Sequence, residues 1–181
     1  MPRIHILGAS GSGATTLGAA LAAELSIPHE DTDNYFWRPT DPPFTEVRPV
    51  EERMALLLPR LPESGDWVLS GCACNWGAQL EPRYSLVVFL KLDPALRMER
   101  LRRRERSRYG ARIEPGGDLE PASRQFLDWA ASYDTGGLDQ RSLALHETWL
   151  AGRTCPVLKL DSALPTATLL AAVMAALRSS P

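Results

Sequence analysis

One stretch of the sequence decides the fold: Gly8-Ala9-Ser10-Gly11-Ser12-Gly13-Ala14-Thr15-Thr16. It follows a short apolar run, Ile4-His5-Ile6-Leu7, which predicts a first strand buried on both faces of a parallel sheet. It precedes Leu17, Leu21 and Leu25, whose regular spacing predicts the apolar face of a helix. Glycines let the backbone turn sharply and direct its N–H groups at an anion, and a helix N-terminus adds partial positive charge. The stretch therefore predicts a phosphate-binding loop.

The loop matches the pattern G-x-x-x-x-G-K-[ST] at three positions and departs from it at one. Gly8 and Gly13 fit the glycines, and Thr15 fits the hydroxyl that binds magnesium in such loops. Thr16 is placed to contact the next phosphate, but Ala14 stands where the lysine is expected. Losing that lysine removes a positive charge from the place where phosphoryl transfer accumulates negative charge. The alternative is a glycine-rich turn of another α/β fold.

Composition indicates one ordinary globular domain. The chain has 181 residues, 44% of them hydrophobic and 23% charged, and a net charge of −2. No apolar run approaches the roughly 20 residues of a membrane span, and no signal peptide is recognised, so we expect a cytoplasmic protein. Three cysteines do not make a disulfide framework. Cys72 and Cys74 lack a further Cys or His pair to complete a metal site, and we interpret them as ordinary thiols.

Strands and helices alternate along the chain, which predicts an α/β fold with a parallel sheet and right-handed crossovers. Apolar runs predict strands at residues 4–7, 29–31, 67–70, 86–92 and 156–160. Helices are predicted at residues 14–25, 50–61, 94–109, 126–133, 138–150 and 166–177.

Two acids follow the second predicted strand. Asp31 and Asp33 are two residues apart, so on a strand their side chains share a face. The carboxyl edge of a parallel sheet is where ligands bind. One carboxylate can accept a proton from a substrate hydroxyl while the other holds substrate or a metal-bound water. The alternative is a turn in which one of them caps the next segment.

The helix after the fourth strand is rich in arginine. Helical periodicity places Arg104 and Arg108 in one stripe with Leu101, and directs Arg103 elsewhere. Because leucine marks the side turned to the protein, Arg104 and Arg108 are the candidates to face an anion. A planar guanidinium suits phosphate oxygens and can stabilise a transferring phosphoryl group. The alternative is a solvated basic helix held by ion pairs along its surface.

Two further positions bear on the missing charge. Of the 20 basic residues only Lys91 and Lys159 are lysines, and Lys91 ends the fourth predicted strand near the phosphate edge. It can replace the absent loop lysine, or it can be a strand-end lysine that reaches water. Ser70 ends the third strand, where many phosphate-loop proteins place an acid for magnesium.

This order of motifs resembles the small P-loop kinases of the adenylate kinase, shikimate kinase and gluconate kinase type. It is most similar to bacterial adenylate-kinase-like or topology modulation proteins. The residues that carry the resemblance are residues 8–13, the Asp31-Thr32-Asp33 pair, Trp67-Val68-Leu69-Ser70-Gly71 and the arginine helix before a flexible segment. Ala14 and Ser70 depart from the family pattern.

The resemblance implies a three-layer fold, with five parallel strands in the order 2-3-1-4-5 between helices. It implies a single kinase-like domain over residues 1–181, with an acceptor-side segment at 38–64 and a mobile lid at about 104–137. ATP would lie on the loop with Mg²⁺, the second substrate beyond Asp31 and Asp33, and the lid arginines at or near Arg104 and Arg108. The loop at 161–165 would lie near the adenine.

We therefore expect an ATP- and Mg²⁺-binding protein that transfers the γ-phosphate to a small hydroxylated or phosphorylated acceptor, as a monomer or homodimer. The alternative is a non-catalytic nucleotide-binding module, which the absence of a loop lysine and of an acid at Ser70 favours. Nucleic-acid binding through the arginine helix is a third hypothesis, and the acidic charge balance argues against it.

Overall fold

A five-stranded parallel sheet forms the centre of the protein. The computed structural model describes residues 1–179. The strands, in the sheet order β2-β3-β1-β4-β5, confirm the predicted topology. Their bounds are β1 Arg3–Gly8, β2 His29–Asp31, β3 Trp67–Ser70, β4 Leu86–Lys91 and β5 Val157–Asp161.

Seven α-helices accompany the sheet over the described residues. They are α1 Ala14–Leu25, α2 Asp33–Phe36, α3 Val50–Leu57, α4 Pro94–Tyr109, α5 Glu120–Ala131, α6 Leu143–Ala151 and α7 Thr166–Ser179. Short 3-10 helices lie in the connections at Leu58–Arg60, Ala78–Arg83, Gly110–Ile113 and Ser132–Asp134. Within residues 1–179 no helix combines the length and apolar character that crossing a membrane requires.

The pleat of β1 divides the core into two layers. Ile4 and Ile6 point to the layer that holds Leu17 and Leu21 of α1 together with apolar residues of α7. Leu7 belongs to the opposite layer, which holds apolar residues of α3 and Leu150 of α6. Because successive side chains of a strand alternate in direction, both faces of β1 are buried.

Three helix boundaries differ from the sequence prediction by more than two residues, each for a local reason. The helix predicted over 50–61 ends at Leu57 because Pro59 lacks the N–H that would continue it, and a 3-10 turn follows. Helix α5 starts at Glu120 rather than 126, with a proline in its first turn. Helix α6 starts at Leu143 rather than 138, where the Ser142 hydroxyl accepts from the Leu145 N–H.

Candidate functional site

The glycine-rich loop joins β1 to α1 and has the backbone geometry of an anion cradle. Gly11 and Gly13 have φ angles of 84° and 90°, which side chains rarely adopt. The Ser12 N–H donates to the Ala9 carbonyl at 3.0 Å and closes the turn. Because Gly13 immediately precedes α1, the unpaired N–H groups of the first helical turn face the same space as the loop.

Close packing behind the loop explains two of its glycines. A Cβ atom on Gly8 would lie 2.5 Å from Ser12 Oγ and 2.6 Å from the Leu90 carbonyl oxygen. A Cβ atom on Gly11 would lie 2.9 Å from Leu101 Cγ on α4. In contrast, nothing lies within 4 Å of a Cβ position on Gly13, which borders open space. The loop is thus pressed against α4 on one side and open to a ligand on the other.

Asp31 lies at the mouth of the loop and is fixed by three hydrogen bonds. Its Oδ2 accepts from Thr15 Oγ at 2.6 Å and from Ser70 Oγ at 2.8 Å, and its Oδ1 accepts from the Asp33 N–H at 2.9 Å. His29 Nε2 lies 3.0 Å from Ser70 Oγ. Ser70, at the end of β3, therefore positions Asp31 of β2 beside the Thr15 hydroxyl of α1, which fits the metal-binding pattern.

Asp33 faces the same cleft and has an altered affinity for protons. Desolvation by the cleft walls raises the pKa of Asp33, and the neighbouring charge of Asp31 adds to the rise. The guanidinium groups of Arg141 and Arg104 act in the opposite direction. The two carboxylates are therefore distinct, because Asp31 is held by hydroxyl donors and Asp33 stands between acidic and basic neighbours.

The cleft has a volume of about 700 Å³ and a strongly cationic wall. Residues 9–16 of the loop, Asp31 and Asp33 line it together with Ser162, from the loop after β5. Its basic lining residues are all arginines, namely Arg100, Arg103, Arg104, Arg108 and Arg141. Arg104 and Arg108 therefore lie where the sequence analysis expects them, beside the loop and the two aspartates.

The α4 arginines contact aromatic rings and a backbone carbonyl around the cleft. Arg108 lies over the Phe44 ring at 5.0 Å, and Arg104 over the Phe126 ring at 5.6 Å. Arg100 donates to the Ser162 carbonyl at 3.0 Å. Arg103 also lines the cleft, contrary to the prediction that it points elsewhere. The reason is that α4 borders the cleft between residues 100 and 108, so residues on the flank of the Leu101 stripe reach it as well.

Arg141 is a site residue that sequence reasoning missed. It lies just before α6, and its NH2 donates to the Gly8 carbonyl at 2.7 Å across a separation of 133 residues. The only sequence signal is a basic residue directly before the helix-capping Ser142. No glycine pattern or acid pair marks it, so only the tertiary structure reveals that it joins the phosphate loop.

Lys91 is not brought to the cleft. Its ammonium group pairs with Glu147 Oε1 of α6 at 3.4 Å, and its side chain is half exposed. It is absent from the cleft lining, whereas Ala14 is part of that lining. In this arrangement the positive charge beside the loop comes from arginines rather than from Lys91.

The cleft extends from the glycine-rich loop to the segment after β5. Its lining includes residues 9–16 at the loop and residues 162–166 after β5. The position of a Cβ atom on Gly13 borders open space, so a ligand can approach the backbone of the loop there.

The fold and the cleft define a protein of the P-loop small-molecule kinase class. The AAA domain family model matches residues 4–120, and the chain belongs to this family. The uncharacterized protein YqaC of Bacillus subtilis (strain 168) is 49% identical over 158 residues, which cover 87% of each chain. A shikimate kinase of Bacteroides fragilis is 36% identical over 115 residues, covering 56% of this chain and 63% of that enzyme.

Solved structures share the fold at low sequence identity. A shikimate kinase from Bacteroides thetaiotaomicron superposes with a TM-score of 0.57 at 19% identity, covering 98% of each chain. A gluconokinase from Sinorhizobium meliloti 1021 superposes with a TM-score of 0.52 at 18% identity, covering 96% of this chain and 90% of that one. These similarities establish the architecture.

Proposed function

We propose that the protein transfers the γ-phosphate of ATP, with Mg²⁺, to a small hydroxylated or phosphorylated acceptor in the cytoplasm. The observation that carries the proposal is the position of Asp31, which meets the Thr15 hydroxyl at 2.6 Å beside the phosphate loop. Asp33 stands next to it at the open side of the cleft. The similarity to shikimate kinase and gluconokinase supports the reaction type.

ATP would be held by the loop and Mg²⁺ by Thr15. Backbone N–H groups of residues 9–13 and of the first turn of α1 would bind the phosphates. Thr15 would exchange its hydrogen bond with Asp31 for the metal, while Asp31 orients a metal-bound water. When bound, Mg²⁺ neutralises charge on the terminal phosphates.

Asp33 is the proposed general base. Desolvation and the neighbouring charge of Asp31 raise the pKa of Asp33, and a base of higher pKa accepts a proton from a hydroxyl more readily. The opening beside Asp33 is bordered by Arg104 and Arg141, which can orient an anionic or phosphorylated acceptor. Asp31 already has three donors, so it is less available to a substrate proton.

The arginines would supply the charge that Ala14 lacks. Arg104 and Arg108 of α4 line the cleft, and so does Arg141, which donates to the Gly8 carbonyl. Guanidinium groups bind phosphate oxygens in a bidentate manner and stabilise charge that develops during transfer. Lys91 is engaged by Glu147, and we assign it no direct part.

Turnover with an acceptor panel tests the proposal. ATP consumption with Mg²⁺ should rise with at least one nucleotide, nucleoside or sugar acid. Asp33→Asn should lower that rate by about 10²–10⁴-fold and leave ATP affinity unchanged. Asp128→Asn, on the exposed side of α5, should behave as the wild type. If ATP binds but no acceptor accelerates its consumption, the protein is a non-catalytic nucleotide-binding module, as Ala14 would suggest.

A further inference from the structure

Three potential metal ligands meet beside the cleft, outside the residues used above. Cys72 and Cys74 follow β3, and His146 lies on α6. The two sulfur atoms and a ring nitrogen all lie within 4.8 Å of one another, and Cys72 Sγ is 3.3 Å from His146 Nε2. The sequence alone shows only a C-x-C pair, because His146 is more than seventy residues away.

We propose that Cys72, Cys74 and His146 bind a borderline-soft divalent metal ion of the Zn²⁺ type. Tetrahedral zinc with Zn–S of about 2.3 Å and Zn–N of about 2.0 Å separates its sulfur and nitrogen ligands by about 3.5 Å. The observed 3.3 Å between Cys72 Sγ and His146 Nε2 is close to that spacing. Three protein ligands leave a fourth position open, as in zinc sites that exchange a water or substrate.

Neighbouring groups orient the ligands as a metal site requires. The Tyr133 hydroxyl lies 2.8 Å from His146 Nδ1, which leaves Nε2 directed at the sulfur atoms. His146 is fully buried, and its ring stands edge-on to Phe89 at 5.8 Å. Trp76 Nε1 donates to the Cys72 carbonyl at 3.2 Å and fixes the backbone of the loop. Such outer partners set the tautomer and orientation of a metal-bound histidine.

The charge balance of the cluster suits a cation. Thiols and imidazoles bind a metal ion in their deprotonated forms, so a divalent ion would release the thiol protons to solvent and leave two thiolates on the metal. The loaded site would then carry no net charge, and the Arg141 guanidinium would not be repelled.

This site and the magnesium site would select different ions. Mg²⁺ prefers oxygen ligands, which Thr15 and Asp31 offer, whereas thiolate and imidazole ligands favour Zn²⁺ and its relatives. Cobalt(II) reports the difference, because its bonds to thiolates give a charge-transfer absorption that oxygen ligands do not give. The metal site is independent of the kinase proposal, and its test needs no acceptor.

The experiment titrates the reduced, metal-stripped protein with Co²⁺. One equivalent should bind with a thiolate charge-transfer band, Zn²⁺ should displace it, and excess Mg²⁺ should not. Cys72→Ser and Cys74→Ser should lose the band. Cys155→Ser, which changes the third cysteine away from the cluster, should keep it. Tyr133→Phe should weaken Co²⁺ binding by about 10- to 100-fold, since it removes only the hydroxyl that orients His146.

Circular dichroism of each metal-free variant separates loss of ligand from loss of fold. The proposal is overturned if folded, reduced wild-type protein shows no thiolate–cobalt band. It is equally overturned if Mg²⁺ abolishes the band, or if Cys155→Ser removes it as fully as Cys72→Ser does. If the protein re-forms a Cys72–Cys74 disulfide after reduction and takes up no metal, the metal-site proposal is also overturned. The two cysteines would then be a redox pair.

Discussion

Replacing Asp31 by asparagine should weaken ATP binding when Mg²⁺ is present and have little effect when it is absent. The substitution keeps the size of the side chain, and an amide oxygen can still accept from one of its present donors, Thr15, Ser70 or the Asp33 N–H. What it removes is the negative charge next to the proposed metal ligand. The variant therefore removes the charge of Asp31 and part of its hydrogen bonding while it keeps the size of the side chain.

The magnitude follows from the distance that a metal-bound water imposes. With Mg–oxygen bonds of about 2.1 Å, a carboxylate that reaches Mg²⁺ through a water lies about 4 Å from the ion. Two unit charges 4 Å apart interact by about 1 kcal/mol in a water-like medium, so a divalent ion gives about 2 kcal/mol. The cleft is open to solvent at this point, since Thr15 is exposed. The expected loss is about 30-fold in the Mg²⁺-dependent affinity.

Calorimetric titration with ATP, in Mg²⁺ and in a chelator, measures this loss directly. The wild type and Asp128→Asn should gain affinity on adding Mg²⁺, and Asp31→Asn should lose most of that gain. Affinities in the chelator should agree within about three-fold, because the loop that binds the phosphates is unchanged. An unaltered Mg²⁺-dependent gain in Asp31→Asn would refute the assignment of Asp31 to the metal.

Three further predictions concern charge and protonation. Ala14→Lys should raise ATP affinity in calorimetry, because it restores a cation at the loop; no gain would mean that the arginines already saturate the phosphates. Lys91→Ala should leave ATP affinity and any turnover unchanged, since Lys91 pairs with Glu147 outside the cleft; a large loss in either would contradict its placement. Burial lowers the pKa of His5 to about 4, so between about pH 7 and pH 5 the unfolded chain takes up a proton that the folded chain does not. The free energy of unfolding should therefore fall by about 2 kcal/mol more in the wild type than in His5→Gln over that interval. Denaturant titrations at the two pH values measure this difference, and equal falls would show that His5 is not the group responsible.

The sheet could be predicted from the sequence because the patterns that indicate its strands and helices lie within short segments of the chain. A strand, a glycine turn and an amphipathic helix follow one another within residues 4–25, and the alternation of strands and helices then restricts the topology. Helix ends were less predictable where a single residue decides them. Pro59 ends one helix and Ser142 starts another, and both effects depend on one missing or one added hydrogen bond.

The candidate site was only partly predictable, because part of it depends on distant contacts. The approach of Asp31 to Thr15 follows from the sheet order, because Asp31 ends β2, Thr15 lies in the first turn of the helix after β1, and β1 and β2 both flank β3. The bond of Arg141 to the Gly8 carbonyl joins distant segments with no shared motif. The pairing of Lys91 with Glu147 likewise depends on where α6 packs. Such contacts are set by tertiary packing, which helical and strand periodicity do not describe.

The hydrogen bonds around Asp31 also determine which side chains lose conformational freedom when a ligand binds. Thr15 anchors this carboxylate to α1 and Ser70 anchors it to β3, so its rotamer is restricted before any ligand arrives. Side-chain ordering costs about 0.5–1.5 kcal/mol for each group that binding immobilises, and at Asp31 that entropy is already lost in the free protein. Arg108, which stacks on the exposed Phe44 ring, retains more freedom to lose. The entropic cost of binding a nucleotide is therefore larger at Arg108 than at Asp31.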